Sequence, residues 1–175
     1  MSPKTDGTSA VTLRPANADD EPILWRMLYL ALFVAPGRPP YPPDVVLRPE
    51  IARYVRGWGR EHDSGWVATD ARSGEAIGAA WLRSWREGDR GFGWLDDATP
   101  ELTIAVVPER RGRGVGTELL RPVLRSADEC YAAVSLSVSL ENPAQRLYRR
   151  FGFEAVETRG DSLTMRRPRG APRTS

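Results

Sequence analysis

The sequence predicts a single α/β domain in which a mixed central sheet of about seven strands is covered by about four helices, in the order βααβββαβαββ. Three observations carry this. At 175 residues the chain has the length of one domain with a substantial core. Short apolar or alternating runs bounded by Gly, Pro and Asp are interspersed with stretches that repeat at helical spacing. One strand-like run feeds a glycine-rich turn that opens a helix, a connection typical of α/β architecture.

Residues 1–10 are polar and read as a loose N-terminus. Val11, Thr12, Leu13 and Arg14 alternate as a strand that ends at Pro15. Asp19 and Asp20 suit the start of a helix over 22–34, where Ile23, Met27, Leu28 and Ala31 recur on one face. Residues 35–43 hold five prolines and exclude regular structure, so they form a connector or a stiff lid. A second helix is predicted over 49–58. Residues 65–71 and 76–85 read as paired strands around Arg72-Ser73-Gly74-Glu75. A loop rich in Gly and Asp leads to a buried strand at 101–107, then to the turn at 110–117. Val115, Leu119, Leu120, Val123, Leu124 and Ala127 mark the next helix, which Pro122 should kink at a cost of roughly 3 kcal/mol. Residues 134–140 alternate as a strand. Asn142-Pro143 starts a helix that stops near Gly152, and 153–158 and 163–167 supply the last two strands. The folded domain therefore spans 11–167, and 168–175 forms a basic, flexible tail.

Composition narrows the chemistry. Hydrophobic residues make up 41% and charged residues 27%, as in soluble globular domains. No stretch is long and apolar enough for a membrane span, and residues 1–7 lack a secretory pattern, so the expectation is a cytoplasmic protein without membrane contact. Cys130 and His62 are the only residues of their types, so neither an internal disulfide nor a metal site is expected. Lys4 is the sole lysine, which leaves no basis for Schiff-base chemistry in the domain. The net charge is only +2, and the Arg-rich end lacks the aromatic interleaving of a nucleic-acid binder. Carboxylates, tyrosines, backbone groups and a bound cofactor remain to run any reaction.

The segment Ile104-Ala105-Val106-Val107-Pro108-Glu109-Arg110-Arg111-Gly112-Arg113-Gly114-Val115-Gly116-Thr117 is built to meet a diphosphate. Three glycines let consecutive N–H groups point into one concavity, the helix start adds a partial positive charge, and Arg111 and Arg113 supply cations. A Walker A loop is excluded because no lysine is present. The dinucleotide fingerprint is excluded because Gly112, Gly114 and Gly116 are spaced too tightly. A glycine-rich helix start with no ligand is the plain alternative.

This segment resembles motif A of the GCN5-related N-acetyltransferases (the GNAT family), with Arg111, Gly114 and Gly116 at its fixed positions. Downstream, Asn142, Ala144, Leu147-Tyr148 and Gly152-Phe153 resemble the same family's motif B. The likeness is strong over 102–157 and implies a GNAT-like fold that uses acetyl-CoA. It implies further that backbone groups of Ile104, Ala105 and Val106 pair with the pantetheine amides. Gly112, Arg113, Gly114, Val115, Gly116 and Thr117, with Arg111, would surround the pyrophosphate, and Asn142 would meet the pantetheine arm. Tyr148 becomes the candidate proton donor to the departing thiolate, since a phenol near pKa ~10 suits that task.

An acceptor amine must also lose a proton. In ribosomal-protein N-terminal acetyltransferases a glutamate on the strand before motif B does this, whereas the matching residue here is Ser137. Glu101 is the candidate base, with Asp96 and Asp97 nearby. The resemblance places the acceptor against the Pro-rich loop, Phe33, Tyr41, Trp81, Trp85 and Trp94. The expected partners are acetyl-CoA and a primary amine on a small molecule or protein, and a homodimer fits the family. The alternative function is a non-catalytic acyl-CoA-binding sensor.

Overall fold

A computed structural model describes residues 10–86 and 88–174. Its strands are β1 (Val11–Pro15), β2 (Ser64–Asp70), β3 (Ala76–Arg83), β4 (Glu101–Val106), β5 (Ala133–Ser139), β6 (Glu154–Arg159) and β7 (Ser162–Pro168). Its helices are α1 (Glu21–Ala31), α2 (Pro49–Ala52), α3 (Val115–Cys130) and α4 (Gln145–Arg150). The seven strands form one mixed sheet in the order β1-β2-β3-β4-β5-β7-β6, so the predicted element order and fold class hold throughout.

Every neighbouring pair is antiparallel except β4 and β5, which run parallel and pair only at Glu101 and Ser135. Beyond that point the edge of β4 that faces β5 carries no ladder, and the Val106 carbonyl on it accepts from Arg111 Nε at 3.0 Å instead.

Alternation along the strands assigns the helices to faces. Gly78 of β3 meets Leu119 of α3, so α3 covers the Gly78 side with its buried stripe Val115, Leu119, Leu120, Val123, Leu124 and Ala127. Trp81 and Arg83 point the other way, where Trp81 Nε1 donates to the Tyr54 carbonyl at 3.0 Å. On this second side α1 buries Leu24, Met27 and Leu28 and packs on β4 and β3.

Two predicted helices end early. The one expected over 49–58 is regular only at Pro49–Ala52. Arg83, 1% exposed, donates to the carbonyls of Arg53, Arg56 and Gly57, and its charge is met by Asp63 at 2.7 Å. With those carbonyls held by a guanidinium, the helix gives way to turns rather than adding a further helical turn. The first helix stops at Ala31 instead of Val34, and the residues after it turn to line a cleft. By contrast α3 runs as one element through Pro122, held by buried apolar residues on both sides of it.

The N-terminal segment predicted to be loose, 1–10, lies outside the described residues except for Ala10. After β7 the chain folds back on α4: Thr174 N–H donates to the Arg150 carbonyl at 2.9 Å, and Arg173 sits over the Phe151 ring at 5.1 Å.

Candidate active site

A cleft of about 800 Å³ opens where β4 and β5 part. Its walls include Ile104, Ala105 and Val106 of β4, the turn into α3, and Asn142, Leu147 and Tyr148 around α4. Of the thirteen candidate residues read from the sequence, all but Glu101 and Arg113 line it.

The turn has the geometry its glycines require. Gly112 and Gly114 adopt φ +70° and +83°, a region costly for residues with a Cβ, and no atom lies within 4 Å of where either Cβ would be. Gly114 is the N-cap of α3 and brings no side-chain cap. The first helical bond runs from Glu118 N–H to the Gly114 carbonyl at 3.0 Å. Among the described residues, the six N–H groups of 112–117 have no hydrogen-bond acceptor. Consecutive unpaired donors at a helix start form a nest for an anion such as a diphosphate. Gly116 packs closely instead: a Cβ there would lie 3.2 Å from Leu147 Cδ2.

Arg111 is less free than the sequence suggests. Its Nε donates to the Val106 carbonyl at 3.0 Å and an Nη to the Leu30 carbonyl at 3.3 Å, so it braces the end of α1 against the end of β4. Arg110, which the sequence did not single out, also lines the cleft and is paired with Asp70. Arg113 is exposed outside it.

Asn142 makes a tight turn rather than the first residue of a regular helix. Its Oδ1 accepts from Ala144 N–H at 2.9 Å, and α4 begins only at Gln145. Tyr148, 8% exposed, stands in the middle of this short helix, edge-on to Phe153 at 6.0 Å. Its hydroxyl has no hydrogen-bond partner among the described residues, although Tyr148 lines the cleft. Burial pushes its pKa up to about 12, so the phenol holds its proton across the physiological range.

Glu101 lies apart from the cleft walls and is 2% exposed. Oε1 accepts from Tyr54 Oη at 2.7 Å and from Gly93 N–H at 2.8 Å, and Oε2 from Trp85 Nε1 at 2.8 Å. Burial raises its pKa to about 7, even though these three donors favour the anion. Of these partners Gly93 belongs to a strap at 90–94 that passes over the carboxylate. Tyr54 Oη also accepts from Phe92 N–H at 2.6 Å, and Arg159 donates to the carbonyls of Phe92 and Trp94 at 3.4 and 3.3 Å. Gly93 passes so close to β5 that a Cβ would lie 2.6 Å from the Leu136 carbonyl carbon.

The aromatic and acidic groups expected at the acceptor site fall into two sets: away from the cleft walls Trp85 binds Glu101 and Trp94 Nε1 donates to Asp97 Oδ1 at 3.2 Å, while Phe33 and Tyr41 stand in the cleft. Trp81 is fully buried, Trp85 is bound to Glu101, and the face of Trp94 is covered by Arg90 at 3.8 Å from the ring centroid. Asp96 and Asp97 are exposed and outside the cleft. Phe33 and Tyr41 do line it. Tyr54 and the strap had no local signature beyond the spacing of Gly91 and Gly93, because their roles depend on contacts some forty residues away in sequence.

A sequence profile described as the acetyltransferase (GNAT) family matches residues 26–153, most of the chain. The chain belongs to the GNAT acetyltransferase family. Solved structures share its fold. The GNAT chain is similar to yncA of Salmonella typhimurium, solved with acetyl-CoA, at 22% identity and TM-score 0.60, covering 91% of this chain and 94% of that one. It is similar to a GnaT-family protein of Bordetella pertussis at 25% identity and TM-score 0.63, covering 90% and 94%. The ribosomal-protein-S18-alanine N-acetyltransferase of Escherichia coli matches at 17% identity and TM-score 0.61, covering 95% and 97%. No curated protein sequence matches the GNAT chain.

Proposed function

We propose that this GNAT domain transfers the acetyl group of acetyl-CoA to a primary amine of a small molecule or of a protein or peptide by direct attack. The observation that carries the reading is a cleft with two kinds of unsatisfied donor: the N–H groups of 112–117 and the hydroxyl of Tyr148. The first group suits the pyrophosphate of coenzyme A, and the edge of β4 that carries no ladder, around Ile104, suits the amides of its pantetheine arm. A structural neighbour crystallised with acetyl-CoA supports the choice of co-substrate.

The amine nitrogen attacks the thioester carbonyl carbon, and the C–S bond breaks as the C–N bond is kept. Tyr148 donates a hydrogen bond to the departing sulfur. Its phenol is a weaker acid than a thiol near pKa ~8.5, so full transfer of its proton is favourable only as the phenolate is refilled. The acetylated nitrogen carries a proton to lose, and that proton closes the cycle. The proton shed by the ammonium before attack is assigned to Glu101, whose pKa of about 7 suits an acceptor near neutral pH.

Thiol release with acetyl-CoA and an amine tests this beside Tyr148→Phe. The variant should lose on the order of a hundredfold in kcat with acetyl-CoA binding unchanged. Unchanged turnover would remove Tyr148 from the mechanism. Acetyl-CoA binding without turnover on any amine would favour an acyl-CoA sensor instead.

A further inference from the structure

We infer that the acceptor is a monoamine carried on an apolar, aromatic body, not a polyamine or an aminoglycoside. The inference rests on the acetyltransferase reading and specifies its second substrate. Among the described residues that line the cleft, none is Asp or Glu, while Arg110, Arg111 and Arg150 are present. A polycationic acceptor brings ammonium groups beyond the reacting one. Each would be stripped of water in a cleft whose lining residues include no carboxylate, beside the guanidinium groups of Arg111 and Arg150, Arg110 being paired with Asp70. The acids that might have served are placed elsewhere: Glu101 is buried under its strap, and Asp96 and Asp97 lie outside.

The wall facing β4 has the opposite character. Leu32, Phe33, Val34, Pro40 and Tyr41 present apolar and aromatic surface to the cleft. Neither Phe33 nor Tyr41 stacks on another ring among the described residues, and Tyr41 is 45% exposed, so an aromatic face is available. The wall is held in place before any ligand arrives. Tyr29 Oη donates to the Tyr41 carbonyl at 2.7 Å, and prolines at 36, 39, 40, 42 and 43 fix the backbone around it. The amides of coenzyme A need polar partners, which the β4 edge offers and this wall does not. That leaves the wall to the acceptor.

The test uses the purified chain at saturating acetyl-CoA, with phenethylamine and tyramine against spermidine and kanamycin. The expected result is a kcat/KM for the arylalkylamines roughly tenfold or more above that for either polycation. Phe33→Ala and Tyr41→Ala should raise KM for the arylalkylamines and leave KM for acetyl-CoA unchanged. Spermidine or kanamycin acetylated with equal or greater kcat/KM would overturn the inference while leaving acetyl transfer intact. Acetylation of none of the four, with acetyl-CoA bound as judged by calorimetry, would overturn both.

Discussion

On one side of the sheet, the N–H groups of 112–117 and the Tyr148 hydroxyl face the cleft with no protein partner. On the other, both oxygens of Glu101 are taken by Tyr54, Trp85 and Gly93. The two regions meet at the point where β4 and β5 part, yet they handle polar groups in opposite ways. The cleft side leaves its donors open for a ligand to complete. The strap side completes itself, and its glycines serve close packing rather than ligand approach. The same residue type therefore has two jobs, distinguishable by what surrounds the missing Cβ: open space at Gly114, and the β5 backbone at Gly93.

The largest effect expected on this contrast concerns Glu101. Its folded pKa of about 7 lies above the ordinary value of 4.5, so the folded state holds a proton that the unfolded chain has released. The associated stability is fully present below pH 4.5 and is lost as pH rises through about 7, by up to roughly 3 kcal/mol. Glu101→Gln keeps a neutral side chain and should flatten this slope in denaturant titrations between those pH values. An unaltered slope would assign it to another group.

Next in size is Gly93→Ala. The added methyl meets backbone of β5 that cannot yield, so unfolding free energy should fall by roughly 1–3 kcal/mol, while acetyl-CoA affinity of the folded protein stays near wild type. Gly114→Ala should do the reverse. Open space around its Cβ limits the stability loss to the strain of a positive φ, about 1 kcal/mol, while acetyl-CoA affinity drops roughly tenfold as the methyl intrudes on the nest. If both variants lost affinity and stability together, the distinction between the two regions would dissolve.

The cleft side was legible in the sequence because its geometry is local. Arg111, Gly114 and Gly116 must recur at fixed spacing for one turn to present its N–H groups, and Asn142 to Phe153 is likewise one continuous segment. Even so, the engagement of Arg111 with the Leu30 carbonyl joins residues 81 positions apart, and no local pattern announces it. The strap side is almost wholly of that kind. Tyr54 reaches Glu101 across 47 positions, and Arg83 ends α2 by holding carbonyls 26 to 30 positions before it. Six tryptophans looked alike in the sequence. Burial and a nearby partner, Tyr54, Glu101 or Arg90, gave Trp81, Trp85 and Trp94 three different roles.

Backbone amide spectra recorded as coenzyme A is added address the nest itself. The amides of 112–117 should show the largest shifts in the protein and saturate together with binding, because they gain the acceptors they lack. If coenzyme A binds while these amides stay unmoved and others respond, the pyrophosphate lies elsewhere and the site described here is not the cofactor site.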